Sequence, residues 1–496
     1  MTTGVGTDRL DAVVIGGGPA GLFAAWRLAT GGARVALVEA GGGMRDSLCP
    51  RVTARMRGQQ VRPAEKFRLQ CNRCDCLTGL GGAAFHFDTN LGYIRGLSRS
   101  KIENDGAGGY RAYSGLERAL GDFDRAADAV ADVYRLMYGF GLPPTAPESP
   151  ESPALPVSDA RTSGAPAPVA GFALADEALS QAITVDDAIG MVDALTAEAR
   201  EHGLRLLLGR RVEDVTRGPE GDWHVRVAGS PEPPLRAANV VVAVGKLGLA
   251  WVRDVLRRNG VAHRPSRRVD VGIRLETGRE EAAPLTASCH NPKFTFLNEL
   301  GEPVRTFCVC EGGRIMQYAF DDTTVLDGQH CLTTPTDRTN FGIVTTVDVP
   351  EDTDGTEHAL DFARRVTKLG GGLPVVQPLL ELLGGARLSE RPAHSLIHSA
   401  DDDLASALGP RRVADIAGMV ERLEAVAPGL AGPRTVVAAP VVEKLYPSIE
   451  LSSELESSAP GLYFAGDCSS KIIGVTYGAA TGLVAADAIL APRGSR

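Results

Sequence analysis

The chain has 496 residues, 44% of them hydrophobic and 23% charged, which describes a soluble globular protein too long for one simple core and so built from two domains. A net charge of −9 argues against nucleic acid or an anionic membrane as the main partner. No apolar run approaches the roughly 20 residues that span a bilayer, and MTTGVGTDRLD lacks a secretory pattern, so a cytoplasmic location with reduced thiols is expected.

The first informative stretch is Asp11–Ala40. Ala12–Ile15 is an apolar run that reads as a buried strand. Gly16, Gly18 and Gly21 follow with G-x-G-x-x-G spacing, and LFAAWRLAT is apolar at helical spacing until Gly31. A second apolar run, Val35–Val38, ends in Glu39. Strand, tight turn, helix, strand and terminal acid together make a dinucleotide-binding unit. Gly16 permits the sharp turn. Gly18 has no Cβ, so a pyrophosphate can approach its backbone. Gly21 lets helix and strand pack closely, and the helix N-terminus offers free N–H groups and a positive dipole end. Glu39 can accept hydrogen bonds from ribose hydroxyls and would repel a 2′-phosphate.

After Gly41 the sequence becomes irregular. Cys71, Cys74 and Cys76 have C-x-x-C-x-C spacing, with Cys49 upstream. A structural metal site needs a second knuckle, which is missing, so no metal is expected. Thiols packed near the cofactor, or a Cys71–Cys74 dithiol, are the other readings. Gly79, Gly81 and Gly82 are dense enough to let backbone approach a flat ligand, and His86, Asp88 and Tyr93 follow as polar candidates.

Tyr113–Tyr138 reads as a helix, and Gly141–Gly171, rich in Pro, Ser and Ala, as a long loop. A helix over Asp186–Glu201 comes next. Strands are predicted at Leu204–Leu208, Val212–Val215, Trp223–Val227 and Ala238–Val244, the last leading to Gly245. Val413–Val426 is helical. The GGG at 370–372 ends a helical pattern and reads as a turn, so no second nucleotide domain is expected. Near the C-terminus, Leu462–Ala465 is a strand, Gly466–Asp467 a turn, and Gly474–Leu490 a helix of small residues.

Taken together, VVIGGGPAGLFAAWRL, CNRCDCLTGLGGAAF, GKLGLAWVRDVLRRNGV, VDVGIRLE, NPKF, VRTFCVCEGG, TNFGIV and GLYFAGD with GAATGLVAADAI resemble the bacterial FAD-dependent dehydrogenases of the NAD(P)/FAD-dependent oxidoreductase superfamily, over nearly the whole length. The resemblance implies an α/β fold with a discontinuous Rossmann-type FAD domain of the glutathione-reductase type (1–140, 186–250 and 436–496), a linker at 141–185 and an inserted mixed-sheet substrate domain at 251–435. It implies FAD as cofactor, favoured by Pro19 in the motif. The contacts it implies are Gly16, Gly18, Pro19, Ala20 and Gly21; Glu39 and Ala40; Gly81 and Gly82; Val212; Ala243 and Gly245; and Gly466, Asp467, Gly474 and Val475.

Three segments depart from the family pattern. AAFHFDTNL lacks the family's lysine, QAITVDDA replaces a His-Gly-Thr-Asp-like segment, and GDCSSKIIG replaces Gly-Asp-Gly-Ala-Gly. They suggest a member specialised for its own small-molecule substrate, in secondary metabolism. Oxidation of that substrate by hydride transfer to the flavin is the leading expectation, with O₂ or NAD(P)H as redox partner. An NAD(P)H-using monooxygenase or ene-reductase, and a flavin-bearing RNA-modifying or protein-binding factor, are the alternatives. Candidate acid–base groups are His86, Tyr93, Lys246, Tyr446, Lys471 and Tyr477, which spacing does not rank.

Overall fold

The computed structural model describes residues 9–48, 77–92, 102–104, 110–112, 115–143, 173–175, 180–287, 291–469, 472 and 474–492. Two large sheets organise them. The first has seven strands: β1 (Leu10–Ile15), β2 (Val35–Val38), β3 (Arg205–Leu207), β4 (Val212–Arg217), β5 (Trp223–Val227), β6 (Leu235–Val242) and, late in the chain, Leu462–Phe464. The order is β3-β2-β1-β6-β5-β4. Leu462–Phe464 runs parallel to the second half of β6, and β4 and β5 are antiparallel. Val13, Val14 and Val240–Val242 are fully buried, the continuous apolar signature of parallel strands covered on both faces.

Helix α1 (Pro19–Thr30) covers this sheet and packs along the last helix, Val475–Leu490. Small residues make that contact close. A Cβ on Gly482 would run into the Ala20 carbonyl, and one on Gly466 would lie 3.1 Å from the Ala20 Cβ. The predicted helix over Tyr113–Tyr138 is two: α2 (Leu116–Leu120) and α3 (Phe123–Gly139). Gly121, at φ 77°, stops the first, and Asp122 caps the second by accepting from the Arg125 N–H at 2.7 Å. Helix α4 (Val185–Glu201) starts at a capping box of Thr184 and Asp187. Helix α5 (Leu249–Arg258) leads out of the first sheet.

The second sheet is mixed and has eight strands. Its core is β7 (Arg268–Gly278), β8 (Lys293–Leu297) and β9 (Pro303–Cys310). A hairpin of β10 (Arg314–Phe320) and β11 (Thr323–Gln329) follows, paired only with itself. Then come β12 (Arg338–Asp348), β13 (Val375–Pro378), β14 (Ala400–Asp401) and β15 (Val436–Glu443); the late strand of the first sheet is therefore β16. The order is β14-β13-β15-β7-β12-β9-β8, with Ala173–Ala175 on the β8 edge. Helices α6 (Gly355–Leu369) and α7 (Leu404–Val426) accompany it, making Val475–Leu490 helix α8. Gly370 caps α6 and Gly371 and Gly372 take positive φ, so the triple glycine is a turn.

Two segments fall elsewhere than the expected boundaries. Residues 436–443, expected with the FAD part, form β15 in the second sheet, because their alternating partners lie antiparallel on β7. Within the expected linker, Ala173–Ala175 joins the second sheet, and Ser180–Ile183 pairs with Thr89–Gly92. Tyr93, Lys471, Cys49, Cys71, Cys74, Cys76 and most of the Pro/Ala/Ser-rich stretch lie outside the described residues.

Candidate active site at the FAD turns and the seam between the sheets

The glycine turns converge at the C-terminal ends of β1 and β6. Gly16 turns with φ 102°, and a Cβ there would collide with the Ala243 carbonyl. A Cβ on Gly21 would strike the Gly16 carbonyl, which is why helix and strand can pack only with glycine. Gly81 donates its N–H to the Gly17 carbonyl at 2.8 Å, and a Cβ on Gly82 would lie 2.9 Å from the Gly18 Cα. Predicted residues 64 positions apart therefore sit against one another.

Glu39 ties these turns together. Its Oε2 accepts from Gly17 N–H at 2.6 Å, and its Oε1 accepts from Gly41 at 2.7 Å and Gly79 at 2.8 Å. The expectation for Glu39 was a ribose contact. The structure adds an architectural task, because three backbone donors already occupy most of the carboxylate's acceptor capacity. Ala40 beside it is exposed. Val212 is turned into the core at the start of β4, two residues beyond Arg210, whose N–H bonds the Glu39 carbonyl at 2.8 Å.

These residues fit FAD on the structure's own terms. A Cβ on Gly18 would meet nothing within 4 Å, so open space faces that backbone. Gly18 and Pro19 begin α1 with no side chain capping the free N–H groups. At the other edge, Asp467 follows β16, and its carboxylate has no hydrogen-bond partner among the described residues. Helix α8 begins at Val475 after an uncapped Gly474. In its first turn Thr476 Oγ1 is buried and unpartnered. Sequence reading missed this group: a threonine inside a small-residue helix carries no signal of its own.

The acid–base candidates separate sharply. The His86 ring is fully buried, with Nε2 2.8 Å from the Leu80 carbonyl, and so braces the glycine turn. The Tyr446 hydroxyl donates to the Gly245 carbonyl and fixes that turn. Tyr477 packs in the core beside Gly474. Lys246 reaches another ionised side chain among the described residues. It pairs with Glu443 at the end of β15, and its Nζ lies 5.7 Å from the centre of the Tyr318 ring on β10.

The pair joins the two sheets where β6 and β16 end. Its side chains are 21% and 16% exposed, and Asp327, whose field reaches both, is 33% exposed, so the seam opens to solvent there. Burial alone would push Lys246 down; the fields of Glu443, Tyr318 and Asp327 outweigh it and hold the ammonium well above its usual range. Burial pushes Glu443 up, with Lys246 opposing. Burial likewise raises the Tyr318 hydroxyl and the Asp467 carboxyl, and Lys246 opposes both. Glu443, Tyr318 and Asp327 were not foreseen. Glu443 carried a readable signal, an acid closing an apolar strand as Glu39 does; the other two come from a distant hairpin.

Cys468, directly after Asp467, is turned under the sheet. Its thiol is fully buried against the Val242 and Ala465 carbonyls, each 3.0 Å away, and burial pushes it up to about 12. Among the described residues no cluster of His, Cys, Asp or Glu is arranged to hold a metal, and no helix is long and apolar enough to cross a membrane.

Residues 11–48 match the family model described as FAD binding domain. These residues are an FAD-binding unit. No curated protein matches the chain. Among solved structures it is similar to NikD, an unusual amino acid oxidase essential for nikkomycin biosynthesis, at 12% identity over 98% of this chain and 95% of that one, TM-score 0.40. It is similar to a geranylgeranyl bacteriochlorophyll reductase-like protein from Thermoplasma acidophilum, at 12% identity over 97% and 78%, TM-score 0.37. A flavoprotein/dehydrogenase from Cytophaga hutchinsonii gives 11%, over 97% and 78%, with TM-score 0.35. Likeness this distant leaves the reaction to the chain's own residues.

Proposed function

We propose that the chain is an FAD-dependent oxidoreductase and that it acts on a small organic molecule at the seam where Lys246, Glu443, Tyr318 and Asp467 meet. The observation that supports the reading is the Lys246–Glu443 pair, a half-buried ion pair whose lysine follows the C-terminal end of β6, a strand parallel to β1 and β16, where open α/β sheets take their ligands, and whose acid closes the antiparallel strand β15. Bound FAD, held by the Gly16–Gly21 turn, Gly81, Gly82, Asp467 and the α8 N-terminus, supplies two-electron chemistry. The chain's own groups manage the proton. A lysine kept protonated is a poor base and a good partner for negative charge developing on a substrate oxygen. Glu443, pushed up by burial, is the group of the pair able to accept a proton. Tyr318 keeps its proton and can donate a hydrogen bond beside them.

The test is anaerobic bleaching of the FAD-loaded protein by a panel of small alcohols, amines, hydroxy acids and amino acids, with NADH, NADPH and O₂ added separately to find the redox partner. A metabolite that bleaches the wild type should do so about 10²–10⁴-fold more slowly in Lys246→Met, the range of one acid–base group, with flavin still bound. Equal rates in the two proteins would refute the assignment of this pair.

A further inference from the structure

Arg274 lies mid-strand in β7 with its side chain 0% exposed. Its Nη2 donates to the Cys308 carbonyl at 2.7 Å and lies 3.8 Å from Cys310 Sγ. Its Nε and Nη1 are buried and make no hydrogen bond among the described residues. The nearest carboxylate oxygen is Asp327 Oδ1, 3.5 Å from Nη1. That oxygen also accepts from the Gly328 N–H at 2.7 Å. A guanidinium this deep normally spends its donors; this one leaves Nε and Nη1, on either side of the engaged Nη2, unspent.

A second unspent group stands beside it. Asn340 on β12 is fully buried, and neither its Oδ1 nor its Nδ2 has a partner among the described residues. It lies opposite Glu276 on β7 and Cys310 on β9, and Gly342, two residues on, lies opposite Arg274. The period of two puts Asn340 and Arg274 on one face of the sheet. The β10–β11 hairpin covers that face. A Cβ on Gly328 would collide with the Arg274 guanidinium, so only bare backbone fits over it. The hairpin pairs with no other strand among the described residues, and a ligand at Arg274 requires it to move aside at Asp327 and Gly328.

We propose that Arg274, with Asn340 beside it, is the subsite for a carboxylate group of the substrate, and that Asp327 stands in for that carboxylate in the free protein. A buried guanidinium with two unspent N–H donors matches a carboxylate oxygen in charge, and the Asn340 amide can donate a further hydrogen bond. The acids at the seam, Asp327, Glu443 and Asp467, favour a monoanion over a doubly charged phosphate. This subsite rests on the reading that substrate occupies the Lys246 seam, because Asp327 borders both. A substrate held at Arg274 by one end would present its neighbouring carbon toward Lys246 and Glu443.

The test uses the FAD-loaded protein and two matched probe pairs, acetate with acetamide and benzoate with benzamide. Binding is read from the flavin absorbance and from the melting temperature. The carboxylates should bind and the amides should not. Arg274→Lys and Arg274→Met should weaken carboxylate binding by about 10- to 100-fold, as loss of a charge-assisted hydrogen bond does, with FAD retained. Asp327→Asn removes the internal competitor and should tighten carboxylate binding about 10-fold, a gain that a damaged fold cannot imitate. Amides binding as well as carboxylates, no response to either carboxylate in the wild type, or unchanged or weaker binding in Asp327→Asn, overturns the subsite. None of these outcomes touches the Lys246→Met bleaching comparison, which fails or stands on its own.

Discussion

Gly16 and Gly18 sit two residues apart and answer to different constraints. Gly16 has φ 102° and its missing Cβ would meet the Ala243 carbonyl, so any side chain there disturbs the sheet itself. Gly18 is extended, and its Cβ would enter open space. Gly18→Val should therefore fold, with the apoprotein melting close to the wild type, yet purify without FAD. Gly16→Val should lower the melting point of the apoprotein itself. A yellow, FAD-loaded Gly18→Val protein would remove the pyrophosphate from that turn. The glycine spacing is legible in the sequence, but it marks both positions alike. Which glycine serves the fold and which the ligand depends on Ala243, more than 220 residues away. Cys468 shows the same limit. It follows Gly-Asp in the sequence, and nothing in that pattern tells that its thiol lies against the Val242 and Ala465 carbonyls. With its thiol held near 12, Cys468 should resist alkylation in the folded protein at about pH 8 and react only on unfolding. Mass spectrometry of the labelled peptide checks this.

At the scale of elements, short apolar strands with flanking glycines were readable, and β2 and β5 appear with the predicted bounds. Strand partnership was less so. β15 and β16 are separated by only about twenty residues yet belong to different sheets, because pairing is decided by partners distant in the chain. The turn after β16 carries the next prediction. Asp467 and the buried, unpartnered Thr476 Oγ1 flank the same end of α8. Asp467→Ala should weaken FAD about 10- to 100-fold, the worth of a charge-assisted hydrogen bond, and Thr476→Val should weaken it less. Flavin release on dilution measures both, and unchanged retention in Asp467→Ala would detach this segment from the cofactor. A second buried acid tests how the substrate sheet is held. Asp270, fully buried on β7, is held by Arg305, by Lys444 at 3.1 Å and by the Thr346 hydroxyl at 2.6 Å. Burial raises its carboxyl, but Arg305, Lys444 and Thr346 together drive it far below the ordinary range. The stability it contributes is thus present above about pH 4 and is lost as pH falls toward the folded value. Asp270→Asn should cost about 3–5 kcal/mol near neutrality by stranding two cations, and the gap to wild type should narrow in acid. Urea unfolding at both pH values reads it.

Across the whole molecule, Lys246 follows β6 of one sheet and Glu443 ends β15 of the other, so their ion pair is both a clasp between sheets and the proposed proton-handling centre. The fold class and the cofactor were legible because their signals are local: a turn, a helix start, an acid at a strand end. The seam was not, because it is assembled from a turn, a strand end and a hairpin spread over some 200 residues. The two roles of the pair make different demands. Lys246→Met leaves Glu443 half-buried without its cation. Its folded pKa, already above the unfolded one through burial, then rises further. A carboxyl with a raised folded pKa stabilises the fold below its unfolded pKa of about 4.3 and loses that contribution as pH rises through the folded value. Lys246→Met should therefore approach wild-type stability near pH 4 and fall behind by up to about 3 kcal/mol at neutral pH, a figure discounted from the fully buried case for partial exposure. The wild type should show a smaller fall, since Lys246, raised by Glu443, stays charged until pH exceeds the ordinary lysine range and opposes the rise of the Glu443 carboxyl. Lys246→Met with Glu443→Leu removes both charges and should recover most of the loss, with a flatter pH dependence than the single variant. Urea unfolding of the three proteins between about pH 4 and 8 separates clasp from chemistry: if the double variant regains stability but not flavin bleaching by substrate, the pair serves the reaction, and if it regains both, the pair serves only to join the sheets.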